Sequence, residues 1–261
     1  MSHVVGCVPY INARPLVRLF ADTKEVEVIY DVPSRLPALL DSGKAEAVLA
    51  SAFDAISTPG RTFAEGVAVA SNGPVESVKL FSKVPFGEIK RLALDASSLT
   101  SNALARGILA EVYDARPEVT RALPALSDML LENDAAVLIG DKGMAASGEG
   151  LHVLDLGEAW TSLTGLPFVW AIWIGTDRLS GELVSNLQIA ARWGEKKSEL
   201  IARESSSETG LDYEMCLHYL SNVMDHRLGD AHLRGLTAYR DLLLKHGLLT
   251  EKLFPVSVSP A

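Results

Sequence analysis

Arg91-Leu92-Ala93-Leu94-Asp95-Ala96-Ser97-Ser98-Leu99-Thr100-Ser101-Asn102-Ala103-Leu104-Ala105-Arg106-Gly107-Ile108-Leu109-Ala110-Glu111-Val112 is the stretch on which the fold turns. Residues 91–94 are an apolar run without alternation, the pattern of a strand buried on both faces. A polar turn follows. Thr100 and Ser101 then open a segment with Leu104, Ile108 and Val112 four apart, which is helical spacing. One strand followed by one amphipathic helix is half of a βαβ unit, and the rest of the chain repeats the theme. Further short apolar runs at 4–8, 26–30, 47–50, 67–70, 77–81, 135–139 and 168–174 read as strands. A helix starts at Pro33-Ser34-Arg35-Leu36, carries Leu36, Leu39 and Leu40, and stops at Gly43. Alternation of this kind predicts an α/β fold with sheets covered by helices.

The last third differs. From 180 to 249 the pattern is almost wholly helical, with helices over 180–203, 212–224 and 230–246, the last closed by Gly247. Ser205-Ser206-Ser207 reads as a helix–helix connection and 255–261 as a loose tail. The chain of 261 residues is long enough for two domains. Breaks at 83–88 and just after Ile174 suggest two crossings: a discontinuous domain 1 of residues 1–84 plus 175–261, and an inserted domain 2 of residues 85–174. Two such domains would enclose a ligand between the carboxyl ends of their strands.

With 48% hydrophobic and 22% charged residues the composition is globular. A net charge of −9 disfavours nucleic acid and anionic membranes, so an anionic ligand needs a local site. No apolar run reaches membrane-span length. Met-Ser-His-Val-Val-Gly-Cys lacks the basic and apolar parts of a signal peptide, which points to a cytoplasmic protein with Cys7 and Cys216 as buried, reduced thiols. Oligomeric state is not encoded in any motif.

No glycine-rich phosphate loop, no G-x-S-x-G and no H-E-x-x-H occurs. The six histidines (3, 152, 218, 226, 232, 246) are not spaced as metal pairs and read as surface or cap residues. No metal and no cofactor is expected. What remains is a set of small polar residues at strand-to-helix junctions: Asn12, Ser51, Thr100, Ser101, Gly140 and Asp141. Each alone fits a helix cap. Together, on successive strand ends, they suggest a site for a small anion.

The order of motifs resembles that of the chorismate dehydratases, enzymes of the futalosine route to menaquinone. It is carried by Gly6-Cys7-Val8-Pro9-Tyr10-Ile11-Asn12 with Pro15-Leu16, Gly73-Pro74-Val75-Glu76-Ser77-Val78, Leu80-Phe81-Ser82-Lys83, and Thr100-Ser101 with Arg106. Asp134-Ala135-Ala136-Val137-Leu138-Ile139-Gly140-Asp141, Asp155-Leu156-Gly157-Glu158-Ala159-Trp160 and Thr164-Gly165-Leu166-Pro167-Phe168-Val169-Trp170-Ala171-Ile172-Trp173 follow, with Leu228-Gly229, Gly235-Leu236 and His246-Gly247-Leu248 near the end. The chain departs from the family pattern at Ala50-Ser51-Ala52-Phe53, where paired serines are frequent, and at Lys142-Gly143-Met144, where an alanine-leucine pair is commoner.

The resemblance implies two three-layer α/β domains with a hinged cleft, like periplasmic binding proteins of type II, used by a cytoplasmic lyase. Its substrate would be the small dianion chorismate, converted to 3-[(1-carboxyvinyl)oxy]benzoate and water. It assigns Asn12 and Ser77 to the reacting centre. Ser51, Thr100, Ser101, Gly140 and Asp141 would hold the substrate, with Thr100 and Ser101 on a carboxylate. Two proton acceptors stand open: Asp141, which also fits an N-cap, and the substrate's own enolpyruvyl carboxylate. A solute-binding protein of the same fold would normally carry an export signal. The sister enzyme acting on a cyclised futalosine derivative would need a histidine base in the cleft, and no histidine lies in these motifs. An unrelated interaction domain would not explain polar residues on successive strand ends.

Overall fold

The computed structural model describes residues 3–23 and 25–261. Strand β1 (His3–Cys7) leads through a 3-10 turn at Ile11–Ala13 into α1 (Arg14–Val17). Then come β2 (Val26–Tyr30), α2 (Pro37–Asp41), β3 (Ala47–Ser51), α3 (Ala52–Ser57), β4 (Thr62–Ser71), β5 (Lys79–Ser82), β6 (Arg91–Asp95) and α4 (Thr100–Val112). The middle of the chain holds β7 (Glu118–Ala122), α5 (Leu126–Glu132), β8 (Ala135–Leu138), α6 (Gly140–Ala145), β9 (His152–Asp155), α7 (Leu156–Thr164) and β10 (Phe168–Gly175). The end holds α8 (Gly181–Glu195), α9 (Ser198–Thr209), α10 (Tyr213–His218), a π-helical turn at Tyr219–Val223, β11 (Met224–Leu228), α11 (Asp230–Lys245) and β12 (Val256–Val258).

The strands form two sheets. The first runs β11-β4-β10-β3-β1-β2, with β12 also beside β4; the second runs β7-β6-β8-β5-β9. Pairing is parallel where helical crossovers link neighbours, as in β2-β1-β3 and β7-β6-β8. It is antiparallel where a strand arrives from the other sheet: β10 against β3 and β4, and β5 against β8 and β9. The α/β class read from the sequence is the observed one, but the sheets are mixed rather than purely parallel.

Strand membership moves the crossings. The chain leaves the first sheet between Ser71 and Lys79 and returns between Asp155 and Phe168. The division expected at 84/85 and 174/175 therefore places each crossing one strand too late. The reason is physical: β10 is apolar on both faces and β5 is only four residues long with Leu80 and Phe81 buried, so their composition suits either sheet, and only partners 50 or more residues away decide which.

The reading of the last third, helices followed by a loose tail, fails in four places. The segment expected as one helix over 180–203 is broken at Lys197, whose backbone leaves the helical region, and Ser205-Ser206-Ser207 lies inside α9. There Ser205 is buried, and the Ser206 and Thr209 hydroxyls donate to the carbonyls of Leu211 and Ser205, so they are absorbed within the helix. Residues 224–228 form strand β11 rather than helix, and 256–258 of the expected loose tail pair with β4. Both additions cover the free edge of β4, a tertiary reward that local periodicity does not register.

Candidate functional site

A cavity lies between the two sheets, at the ends of β1, β3, β6 and β8. It is lined by Asn12, Ser51, Ser77, Thr100, Ser101 and Gly140, among other residues. Six of the seven residues picked from the sequence therefore share one wall-to-wall space. It is narrow, with about 60 Å³ open to the centre of a water molecule. Its other walls are apolar, including Val8, Leu49, Val69, Val75, Ile139 and Trp170. Among the described residues no lysine, arginine, histidine, aspartate or glutamate lines it.

Ser51 ends β3 and caps α3, accepting from the amide of Phe53 at 3.2 Å. Its hydroxyl also meets Thr100 Oγ1 across the cleft at 2.6 Å. Thr100 Oγ1 donates to the backbone carbonyl of Trp170 at 3.1 Å. That carbonyl can only accept, so the single Thr100 proton is committed to it and Ser51 is the donor to Thr100. Trp170 sits where the register of β10 against β4 slips, at a bulge, so the ladder offers this residue no regular partner. Tyr239 on α11 donates to the Thr100 carbonyl at 2.9 Å. The hydroxyls of Ser51 and Thr100 thus tie α4 to the first sheet. Ser101, beside them on the cavity wall, makes no side-chain hydrogen bond among the described residues. Ser101 and the start of the thirteen-residue α4 line the cavity, and no side chain caps that helix N-terminus.

Ser77 was expected to open a strand over 77–81. It instead lies in the crossing segment before β5, and Glu76 has a left-handed backbone, φ 62°. Asp155 holds this segment: its carboxylate accepts from the amides of Val75 and Glu76 at 3.0 and 2.7 Å while capping α7 through Gly157 and Glu158. Gly143 permits a close approach from the other side. A Cβ there would collide with the Ser77 carbonyl oxygen, so this position takes glycine.

Two residues from the C-terminal third back the site, and sequence reasoning missed both. The Tyr219 hydroxyl lies 2.7 Å from Ser77 Oγ. Burial pushes the Tyr219 phenol well up, opposed in smaller measure by the Ser77 and Asn12 side chains beside it. His226 on β11 donates from Nε2 to the Asn12 carbonyl at 2.8 Å; burial lowers its pKa, so the ring is held neutral. Histidine had been read as a surface or cap residue here, and His226 is neither, being buried. A tyrosine in a helical pattern and a histidine in a short strand carry no local mark of function. The Asn12 Oδ1 atom is buried and has no partner among the described residues.

Asp141 is the seventh candidate, and it does not line this cavity. It faces a neighbouring cavity of about 590 Å³ beyond Tyr10 and Ile139, and accepts from the Ile11 amide at 3.3 Å. Burial raises its pKa, partly offset by that amide. Gly140 just before it is left-handed, φ 61°, and packs on the Tyr10 ring.

Residues 3–245 match the profile of a family described as menaquinone biosynthesis. The chain belongs to the menaquinone biosynthesis family. A curated member, the chorismate dehydratase of Thermus thermophilus, is 30% identical over 92% of this chain and 95% of its own length. Among solved structures, a protein of Archaeoglobus fulgidus superposes with a TM-score of 0.74 at 17% identity, covering 94% of this chain and 98% of its own. The periplasmic aliphatic sulphonate binding protein of Escherichia coli gives a TM-score of 0.67 at 14% identity, covering 100% and 94%. These likenesses show the fold, two α/β units of the periplasmic-binding-protein kind. This member of the menaquinone biosynthesis family has no helix among its described residues long and apolar enough to cross a membrane.

Proposed function

We propose that the protein is a cytoplasmic hydro-lyase that dehydrates chorismate to 3-[(1-carboxyvinyl)oxy]benzoate in the cleft between two hinged lobes. The observation that carries the reading is a cavity lined by hydroxyls, an amide and the start of α4, with no ionisable side chain among the described residues except the Tyr10 phenol. Burial raises the Tyr10 pKa, so it remains a neutral phenol. Such a site suits a reaction that needs orientation and charge stabilisation more than acid–base power. The C3–H bond of chorismate is acidified by conjugation through C2=C1 to the ring carboxylate. As that proton leaves, its electron pair forms the C3=C4 bond, the C4–O bond breaks, and the departing hydroxyl takes up a proton to become water. Aromatisation drives the step.

With Asp141 turned to the Ile11 amide outside this cavity, the substrate's enolpyruvyl carboxylate is the proton acceptor. Ser101 and the α4 amides hold the ring carboxylate, where charge builds. Asn12, on the cavity wall, orients the 4-hydroxyl; Ser77 donates to the same region and carries the proton toward the leaving oxygen. Purified protein incubated with chorismate should remove its diene absorbance and form an aromatic product with one water released. Folded protein that leaves chorismate unchanged overturns the proposal. The periplasmic-binding likeness raises a second reading, reversible binding of an anion, which that same experiment separates: binding without turnover would favour it.

A further inference from the structure

We infer that Tyr219 is a positioning residue that fixes the direction of the Ser77 hydroxyl, so that the Ser77 proton points into the cavity; this rests on the dehydratase reading. Tyr219 belongs to the π-helical turn Tyr219–Val223, inserted between α10 and β11. π turns of this kind often mark functional sites. Its ring is fully buried and does not line the cavity, so it acts through a neighbour and not on substrate.

The hydrogen-bond inventory sets the direction. A phenol has one proton to give. Two polar side chains face the Tyr219 oxygen: Ser77, at 2.7 Å, and the Asn12 amide. If Ser77 donated to Tyr219, the phenol proton would need Asn12 Oδ1 as its acceptor, and that atom is buried without a partner among the described residues. The opposite direction leaves no conflict. The Asn12 N–H faces the phenol oxygen, the phenol donates to Ser77 Oγ, and the Ser77 proton is left for the cavity. Burial keeps Tyr219 protonated through the working pH range, so this orientation does not depend on pH. One phenol thereby leaves the Ser77 proton for the cavity wall that Ser77 and Asn12 share.

The test is a double-mutant cycle of Tyr219→Phe and Ser77→Ala, read by single-turnover rates on chorismate with enzyme in excess. Phenylalanine keeps the ring and its packing. With Ser77 present, Tyr219→Phe should slow turnover about tenfold with KM changed less than threefold; with alanine at 77 the same change should matter less than about twofold. Equal losses in both backgrounds would mean a merely structural tyrosine and overturn the inference. A wild type without turnover instead overturns the dehydratase reading and takes this inference with it. A second readout keeps Tyr219 intact: Ser77→Ala should shift the Tyr219 Cζ resonance, because the phenol loses its acceptor, and an unmoved resonance is equally fatal.

Discussion

Thr100 and Ser101 are adjacent hydroxyls on one helix start; among the described residues the first is bonded to protein and the second is not, and a pair of substitutions will separate the duties proposed for them. Thr100→Val keeps the branched shape and removes the oxygen. Three groups then lose a partner: the Trp170 carbonyl at 3.1 Å, Ser51 Oγ at 2.6 Å and the Phe53 amide at 3.3 Å. Ser51 still accepts from the Phe53 amide, so the main penalty is a buried carbonyl at a β-bulge with nothing to accept from. Leaving one such group unpaired costs about 1–3 kcal/mol. For a chain of this size that corresponds to a melting temperature lower by roughly 3–10 °C. The Thr100 proton never reaches the cavity, so KM should move little. Ser101→Ala removes a hydroxyl with no side-chain hydrogen bond among the described residues, so stability should stay within about 0.5 kcal/mol. If that hydroxyl meets a carboxylate, its bond is worth about 1.5–3 kcal/mol, and KM should rise about tenfold or more. Melting curves of the unliganded variants and steady-state kinetics on chorismate read both axes. An early-melting Ser101→Ala with normal KM, beside a fully stable Thr100→Val with raised KM, would refute this division and return Thr100 to the carboxylate role expected from the sequence.

Two further outcomes follow from the residues behind the site. Asp155→Ala strips the acceptor from four amides, one of them on buried Val75, and should lower stability by about 2–4 kcal/mol in urea melts, with Asp155→Asn recovering part; a loss under 0.5 kcal/mol would refute its anchoring role. His226 has a folded-state pKa below its unfolded value of about 6.5, so the unfolded chain takes up a proton that the folded one refuses, and the stability tied to the neutral ring is complete above that pH and lost as pH falls through the folded pKa. Melting temperatures from pH 8 to 5 should therefore fall more steeply for wild type than for His226→Gln; parallel curves would rule this out.

Much of the lining of the candidate cavity was legible because its signal is local. A polar residue directly after an apolar strand and at the start of a helix lies at the carboxyl edge of its sheet whatever the rest of the chain does. Asn12, Ser51, Thr100, Ser101 and Gly140 all have that address, and all line the cavity. The alternation of buried strands and amphipathic helices likewise determined the α/β class, because side-chain periodicity is a property of a dozen neighbouring residues. Sheet membership of β5 and β10, and the recruitment of 224–228 and 256–258 as strands, were decided only in three dimensions, where the free edge of β4 had to be paired. The same holds for which hydroxyl is free. Thr100 and Ser101 are indistinguishable as sequence; what separates them is a carbonyl at Trp170, released by a bulge 70 residues away. Tyr219 and His226 reach Ser77 and Asn12 across 142 and 214 residues. A hydrogen bond commits a proton to one acceptor, and the identity of that acceptor is a fact of packing, which no local pattern contains.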